Sequence, residues 1–216
     1  MKTVTDIRFY NAVEFAETVR RLGPDKVLKD RRLRELFYCH PFMMNEVLRG
    51  GKPMWLGKIE QDDHPFDVVL VDEDDLRNAH ESGTKHLANP LWIQLKEIRG
   101  NTGSRRIPLP EWVEIVQNRY INRISKRVRM EPTGVLHLHN KIPLEKIELG
   151  RLEEFLKKFS LPEKFPYRQI TLSIEIGKED VSAWGIATWQ IYPEFAVVGS
   201  ISAAARKEIR RIYGLR

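Results

Sequence analysis

The hydrophobic positions change period along this chain. Over the first fifty residues they recur at helical spacing. In "NAVEFAETVRRL", Val13, Ala16, Val19 and Leu22 fall on one stripe, and Gly23 followed by Pro24 closes one helix and opens the next. "DKVLKDRRLRELFY" continues with Val27, Leu28, Leu33, Leu36 and Phe37 on one side and a basic opposite face, and "PFMMNEVLRGG" predicts a third short helix stopped by Gly-Gly. Then the spacing tightens. "KPMWLGKIEQ" and "FDVVLVD" read as strands joined through the turn-like "DDHP", and "LWIQLKEI" as a third strand reached through the polar connection "EDDLRNAHESGTKHLANP".

A loop, "RGNTGSRRIPLP", leads to a helix, "EWVEIVQNRYINRISKRV", with Pro110 at its start and a stripe of Trp112, Ile115, Val116 and either Tyr120 or Ile124. The strand "GVLHLHN", the helix "LGRLEEFLKKF", the strands "RQITLSIEI" and "AWGIATWQIY" and the basic helix "AAARKEIRRIYGLR" complete the pattern. Neighbouring strands followed by a helical crossover predict a single α/β domain with a mixed central sheet flanked by helices. Residues 1–50 supply N-terminal helices, 51–145 the core, and 146–216 a C-terminal helix and strand extension.

Composition narrows the setting. A chain of 216 residues with 42% hydrophobic and 31% charged side chains is long enough to enclose a core. The single Cys39 excludes an internal disulfide, and no stretch is apolar enough for a membrane span or a signal peptide, so a cytoplasmic protein without membrane attachment is expected. The net charge of +6 leans toward a polyanionic partner.

Three polar residues stand out because the strands around them are apolar. Asp67 opens one strand, and Gln94 and Lys96 share a face of another. A carboxylate, an amide and an ammonium make poor packing but suit a divalent cation and a phosphodiester. Asp67, the Gln94 side-chain oxygen and the Leu95 backbone carbonyl are oxygen donors for Mg2+ or Mn2+, and Lys96 offsets charge in the transition state.

A strand aspartate followed by a Q-x-K strand, a helix and another strand resembles the PD-(D/E)xK nuclease superfamily, and "IQLKEI" is similar to the Q-x-K strand of Mrr-type endonucleases. The resemblance spans about residues 40–145. It implies a restriction-endonuclease-like core and metal-dependent cleavage of DNA, with catalytic positions at Asp67, Gln94, Lys96 and a helix glutamate, Glu46, or Glu35 as fallback. It also allows a homodimer or a partner subunit.

The pattern departs from the family in spacing. Asp67 and Gln94 lie 27 positions apart (94 − 67 = 27), and Asp72, on the opposite strand face, is the alternative ligand. Gln117 and Tyr120 stand one residue closer than the glutamine and tyrosine of the RecB-like branch.

Arg99, Arg105, Arg106, Arg119, Arg123, Lys126 and Arg127 form a candidate DNA-backbone surface, or a solvated helix face. His137 and His139 read as a half-exposed strand face, Trp184, Trp189 and Tyr192 as core. The competing account is a non-catalytic nucleic-acid-binding or scaffold subunit, because neutral Gln94 removes a charge from the metal site.

Overall fold

The computed structural model describes residues 7–59, 66–82, 87–100, 105–125, 134–145, 149–161, 165–175, 186–200 and 203–215. Among them, eight strands form one open mixed sheet in chain order: β1 (Phe9–Asn11), β2 (Met54–Lys58), β3 (Val68–Asp72), β4 (Leu91–Ile98), β5 (Val135–Asn140), β6 (Gln169–Glu175), β7 (Ile186–Tyr192) and β8 (Ala196–Ser200). β1 to β4 pair antiparallel and β5 with β6 parallel, which makes the sheet mixed as expected. The helices are α1 (Ala12–Leu22), α2 (Pro24–Lys29), α3 (Arg31–Gly50), α4 (Glu73–Glu81), α5 (Leu109–Val116), α6 (Asn122–Ser125), α7 (Leu149–Leu156) and α8 (Ala203–Ile212), with a π turn at Gln117–Ile121. Contacts group the chain into two compact units: Met1–Leu95, Glu175–Thr188 and Val198–Arg216 form the first, Lys96–Ile174 and Trp189–Val197 the second.

The first unit begins with a capping box. Asn11 Oδ1 accepts from the Glu14 N–H at 2.8 Å, and the Glu14 carboxylate accepts from the Asn11 N–H at 3.4 Å. The helical break that follows lies elsewhere than the sequence pattern places it. Asp30, with Oδ1 accepting from the N–H groups of Arg32 and Leu33, ends α2 and starts α3. Pro41 then sits inside α3, and "PFMMNEVLRGG" is the second half of this one helix. Residues 38–47 are buried throughout, against β2 and β3 and against α1, α2 and α8. Fully enclosing Phe42, Met43 and Val47 at about 1.5–3 kcal/mol each offsets the roughly 3 kcal/mol that an internal proline costs. Gly57 is opposite Phe9 in the β1–β2 ladder, where an added Cβ would lie 2.7 Å from that ring and from Ile7.

The connection after β3 is likewise more ordered than its polarity suggests. Asp72 is the N-cap of α4, accepting from the Asp75 N–H at 2.8 Å, and Glu73, Asp74 and Asp75 occupy the first turn. Carboxylates there complement the helix dipole, so "DEDD" is a helix start.

In the second unit, Trp112 fastens α5 to the end of β5, its indole N–H donating to Asn140 Oδ1 at 2.8 Å. The π turn displaces the expected stripe: Trp112, Val116 and Ile121 are buried, while Ile115 and Tyr120 are half-buried.

Candidate functional site

Asp67 is set by the ladder on either side of it. Its N–H donates to the Ile93 carbonyl at 3.0 Å, and its own carbonyl accepts from the Ile59 N–H at 3.0 Å. Val68 pairs with Ile93, so Asp67 is at the end of β3 where regular pairing with β4 stops. The side chain takes over from the backbone there: Asp67 Oδ2 accepts from the Leu95 N–H at 2.8 Å. The aspartate therefore meets the Q-x-K strand at its central residue. In a strand the N–H and C=O of one residue point to the same edge. The Leu95 carbonyl accordingly faces β3 too, one carbonyl beyond the bond that Asp67 makes.

A second polar group closes around the same bend from the helix side. Lys58 Nζ donates to the Asp67 carbonyl at 3.0 Å and forms an ion pair with Glu35 of α3. Both partners are largely enclosed, with side-chain exposures of 14% and 12%. Cys39 lies within range of all three charges. Burial is the main cause that raises its thiol pKa well above the ordinary range, and Asp67 and Glu35 push in the same direction against Lys58. This thiol stays protonated and is not a nucleophile.

Alternation explains why Lys58 needs its partner. Met54, Leu56 and Lys58 share one face of β2, and Leu56 is fully buried against α3, so the lysine points into the helix layer. That parity is readable in "MWLGK", and Lys58 is the residue beside Asp67 that the search for motifs passes over.

The two candidate helix glutamates have different partners. Glu46 is buried but tied to Arg49 one turn along α3, whereas the fallback, Glu35, is joined to Asp67 through Lys58. Asp72, the alternative ligand, caps α4 through Oδ1. Gln94 is half-buried, and Lys96 is exposed on the same face of β4. The divide between the two units falls between Leu95 and Lys96.

For a hard divalent cation the chemistry of the donors is suitable but lean. Asp67 gives one carboxylate, one oxygen of which already accepts a hydrogen bond, and Gln94 and Leu95 give neutral oxygens. Among the described residues, no three His, Cys, Asp or Glu side chains gather as a cage. Such a set suits Mg2+ or Mn2+ only where water and substrate phosphate complete the coordination, the usual habit of Mg2+.

The remaining candidates separate by burial. His137 and His139 are buried rather than half-exposed, which corrects the strand-face expectation. His137 lies between two hydroxyls, Nδ1 at 2.7 Å from Thr171 Oγ1 and Nε2 at 3.1 Å from Ser173 Oγ. Burial first, then the charge of Lys141, holds the His139 pKa far below the usual imidazole range. Gln117 clamps the backbone of Ser160, donating to its carbonyl at 2.8 Å and accepting from its N–H at 3.1 Å. Tyr120 OH accepts from the Arg99 N–H at 2.7 Å. Both side chains serve the architecture of the second unit.

Of the arginine set, Arg99 pairs with Glu97 and Arg105 with Glu111, while Arg106, Arg119 and Arg123 are exposed. Lys126 and Arg127 are outside the described residues, as is Trp184. Trp189 is buried as expected and Tyr192 half-buried. No helix among the described residues is long and apolar enough to cross a membrane. Comparison with family models, with curated proteins and with solved structures gives no match to this chain.

Proposed function

We propose that this protein is a metal-dependent nuclease, or a nuclease subunit, that hydrolyses DNA phosphodiester bonds at the junction of β3 and β4. The observation that carries this reading is the hydrogen bond from the Leu95 N–H to the Asp67 carboxylate, which joins the aspartate to the Q-x-K strand. Asp67, Gln94 and the Leu95 carbonyl are the residues to hold Mg2+ or Mn2+. When bound, such an ion supplies Lewis acidity toward a phosphoryl oxygen. The chain's own groups then have distinct tasks. Asp67 supplies the anionic donor, oriented by Leu95. Gln94 adds a neutral oxygen, and Lys96 contributes the ammonium that offsets charge gained at phosphorus. Lys58 and Glu35 keep the Asp67 main chain in place and remain a neutral pair.

A second reading draws on that same pair. Glu35 is neutralised by Lys58 and Glu46 by Arg49, so no carboxylate from α3 adds charge to Asp67. This arrangement favours a nucleic-acid-binding or scaffold subunit without hydrolysis. Titration of Mn2+ into the parent, Gln94→Glu and Gln94→Ala proteins, with cleavage of plasmid DNA measured in parallel, separates the two. A nuclease site gives tighter binding for Gln94→Glu, weaker binding for Gln94→Ala and no cleavage by Lys96→Ala. Equal Mn2+ affinity in all three proteins, with no cleavage by the parent, makes the binding subunit the better account.

A further inference from the structure

The charge of the first unit is unevenly spread. Residues 20–34, "RRLGPDKVLKDRRLR", hold seven Lys and Arg against two Asp, in a chain whose whole surplus is +6. They form the end of α1, all of α2 and the start of α3, three helices in mutual contact. Arg20, Arg21, Lys26, Lys29, Arg31 and Arg32 are all exposed. Two acids lie among them, and Arg31 pairs with Glu35 at 3.7 Å. Asp30 is engaged as the cap of α3, and Asp25 is exposed in the first turn of α2. Arg20, Arg21, Lys26 and Lys29 have no ion-pair partner among the described residues.

Arg20 and Arg21 end α1, and Lys26 and Lys29 end α2, where the helix dipole favours cations, but the start of α3 is different. α3 has no acidic residue in its first turn and carries Arg31, Arg32 and Arg34 at the end where the helix dipole disfavours cations. Like charges this close raise the energy of the free protein and are relieved by a polyanion.

We infer that the surface formed by the end of α1, α2 and the start of α3 is a docking site for the phosphodiester backbone of duplex nucleic acid. It binds by charge, without regard to base sequence. Two observations select this occupant over other polyanions. The large hydrophobic side chains exposed among the described residues are Val197 and Leu215, neither of them in this patch. An anionic membrane would be met by an amphipathic helix with apolar side chains to insert, and an acidic protein by buried aromatic or aliphatic anchors. Here the exposed side chains are polar, with cations in excess. Four of the six are arginines, whose planar guanidinium matches phosphate oxygens in pairs. This surface shares no residue with the Asp67 site, and it would bind nucleic acid whether or not that site cleaves.

The test is fluorescence anisotropy of a labelled 20-base-pair duplex in EDTA, so that no metal-dependent step is read, over a series of salt concentrations. The quadruple variant Arg20→Gln, Arg21→Gln, Lys26→Gln, Lys29→Gln is compared with the parent and with Arg119→Gln/Arg123→Gln. Removing four phosphate contacts lowers the slope of log affinity against log salt by about 3 to 4 and weakens binding at least about tenfold, equally for duplexes of different sequence. Lys26→Gln/Lys29→Gln, confined to α2, gives about half that change and serves if the quadruple variant does not fold. Unchanged slope and affinity in the folded variants overturns the proposal. So does tight binding to phosphatidylserine vesicles that excess duplex fails to displace.

Discussion

The bend at Asp67 in the first unit and the imidazole of His137 in the second manage buried polarity in opposite ways. Lys58 and Asp67 lie where strands end, Glu35 of α3 pairs with Lys58, and water still reaches part of each of these ionisable side chains. His137, Thr171 and Ser173 are fully enclosed. Thr171 and Ser173 are uncharged side chains, and each meets one ring nitrogen of the imidazole. The contrast follows from desolvation: burying an ion costs several kcal/mol even after relaxation, whereas a neutral group costs little once its hydrogen bonds are made. The charged cluster keeps partial contact with water, which lowers its desolvation cost. The enclosed cluster joins β5 to β6.

The severest way to break this comparison is to remove the imidazole hub. His137→Leu takes a partner from both Thr171 and Ser173, at about 1–3 kcal/mol for each buried hydroxyl, and should lower the unfolding free energy by about 4 kcal/mol. Urea unfolding of the variant measures it, and a loss below 1 kcal/mol would mean that those hydroxyls rearrange freely.

Acid provides the next largest effect. His40 in α3 is buried, with Nε2 at 2.7 Å from the Ala12 carbonyl. Burial lowers its pKa from 6.5 to about 4, against a smaller upward pull from that carbonyl. The unfolded chain therefore binds a proton more readily than the folded one between these values. The stability contributed is complete above pH 6.5 and is lost as pH falls toward 4, by about 3 kcal/mol for this residue. Unfolding curves from pH 7 to pH 4 should show this decline, and His40→Gln should flatten it.

The smallest of the three effects concerns the charged pair. Lys58→Met leaves Glu35 without its close counter-ion, but residual contact with water limits the loss to about 2 kcal/mol, below the 3–5 typical of a fully enclosed pair. Adding Glu35→Gln should recover at least half of it. A double variant less stable than Lys58→Met alone would show that the ion pair was not the source of the loss.

Much of the fold is readable from periodicity because long amphipathic segments leave few alternatives. α1, α5, α7, α8 and the strands β2 to β7 stand where the pattern puts them. β1 and β8 were not anticipated, being only 3 and 5 residues long and too short for a period to show. Pro41 misled because local propensity argues for a break that the buried surroundings of α3 override. Asp72 and the acids after it carried a recognisable helix-start signature, but were weighed as ligands instead. At the site, the link between Asp67 and the Q-x-K strand was legible as a pattern of strands. The bridge from Glu35 to Lys58 was not, because it joins residues 23 positions apart (58 − 35 = 23) through parity and packing rather than through any motif.

One hydroxyl near the end of the chain governs when the first unit can be completed. Tyr213 OH accepts from the N–H groups of Met54 and Ala12 and donates to the Met54 carbonyl, tying the segment after α8 to the start of β2 and the start of α1. The tie to Ala12 spans 201 positions, and the unit it fastens also needs Glu175–Thr188 and Val198–Arg216. A ribosome adding about 5–20 residues per second takes on the order of ten seconds to deliver the 121 residues after Leu95 (216 − 95 = 121). For that interval the opening helices and β1 to β4 exist without their closing segments. The first unit therefore closes only after those later segments have been made.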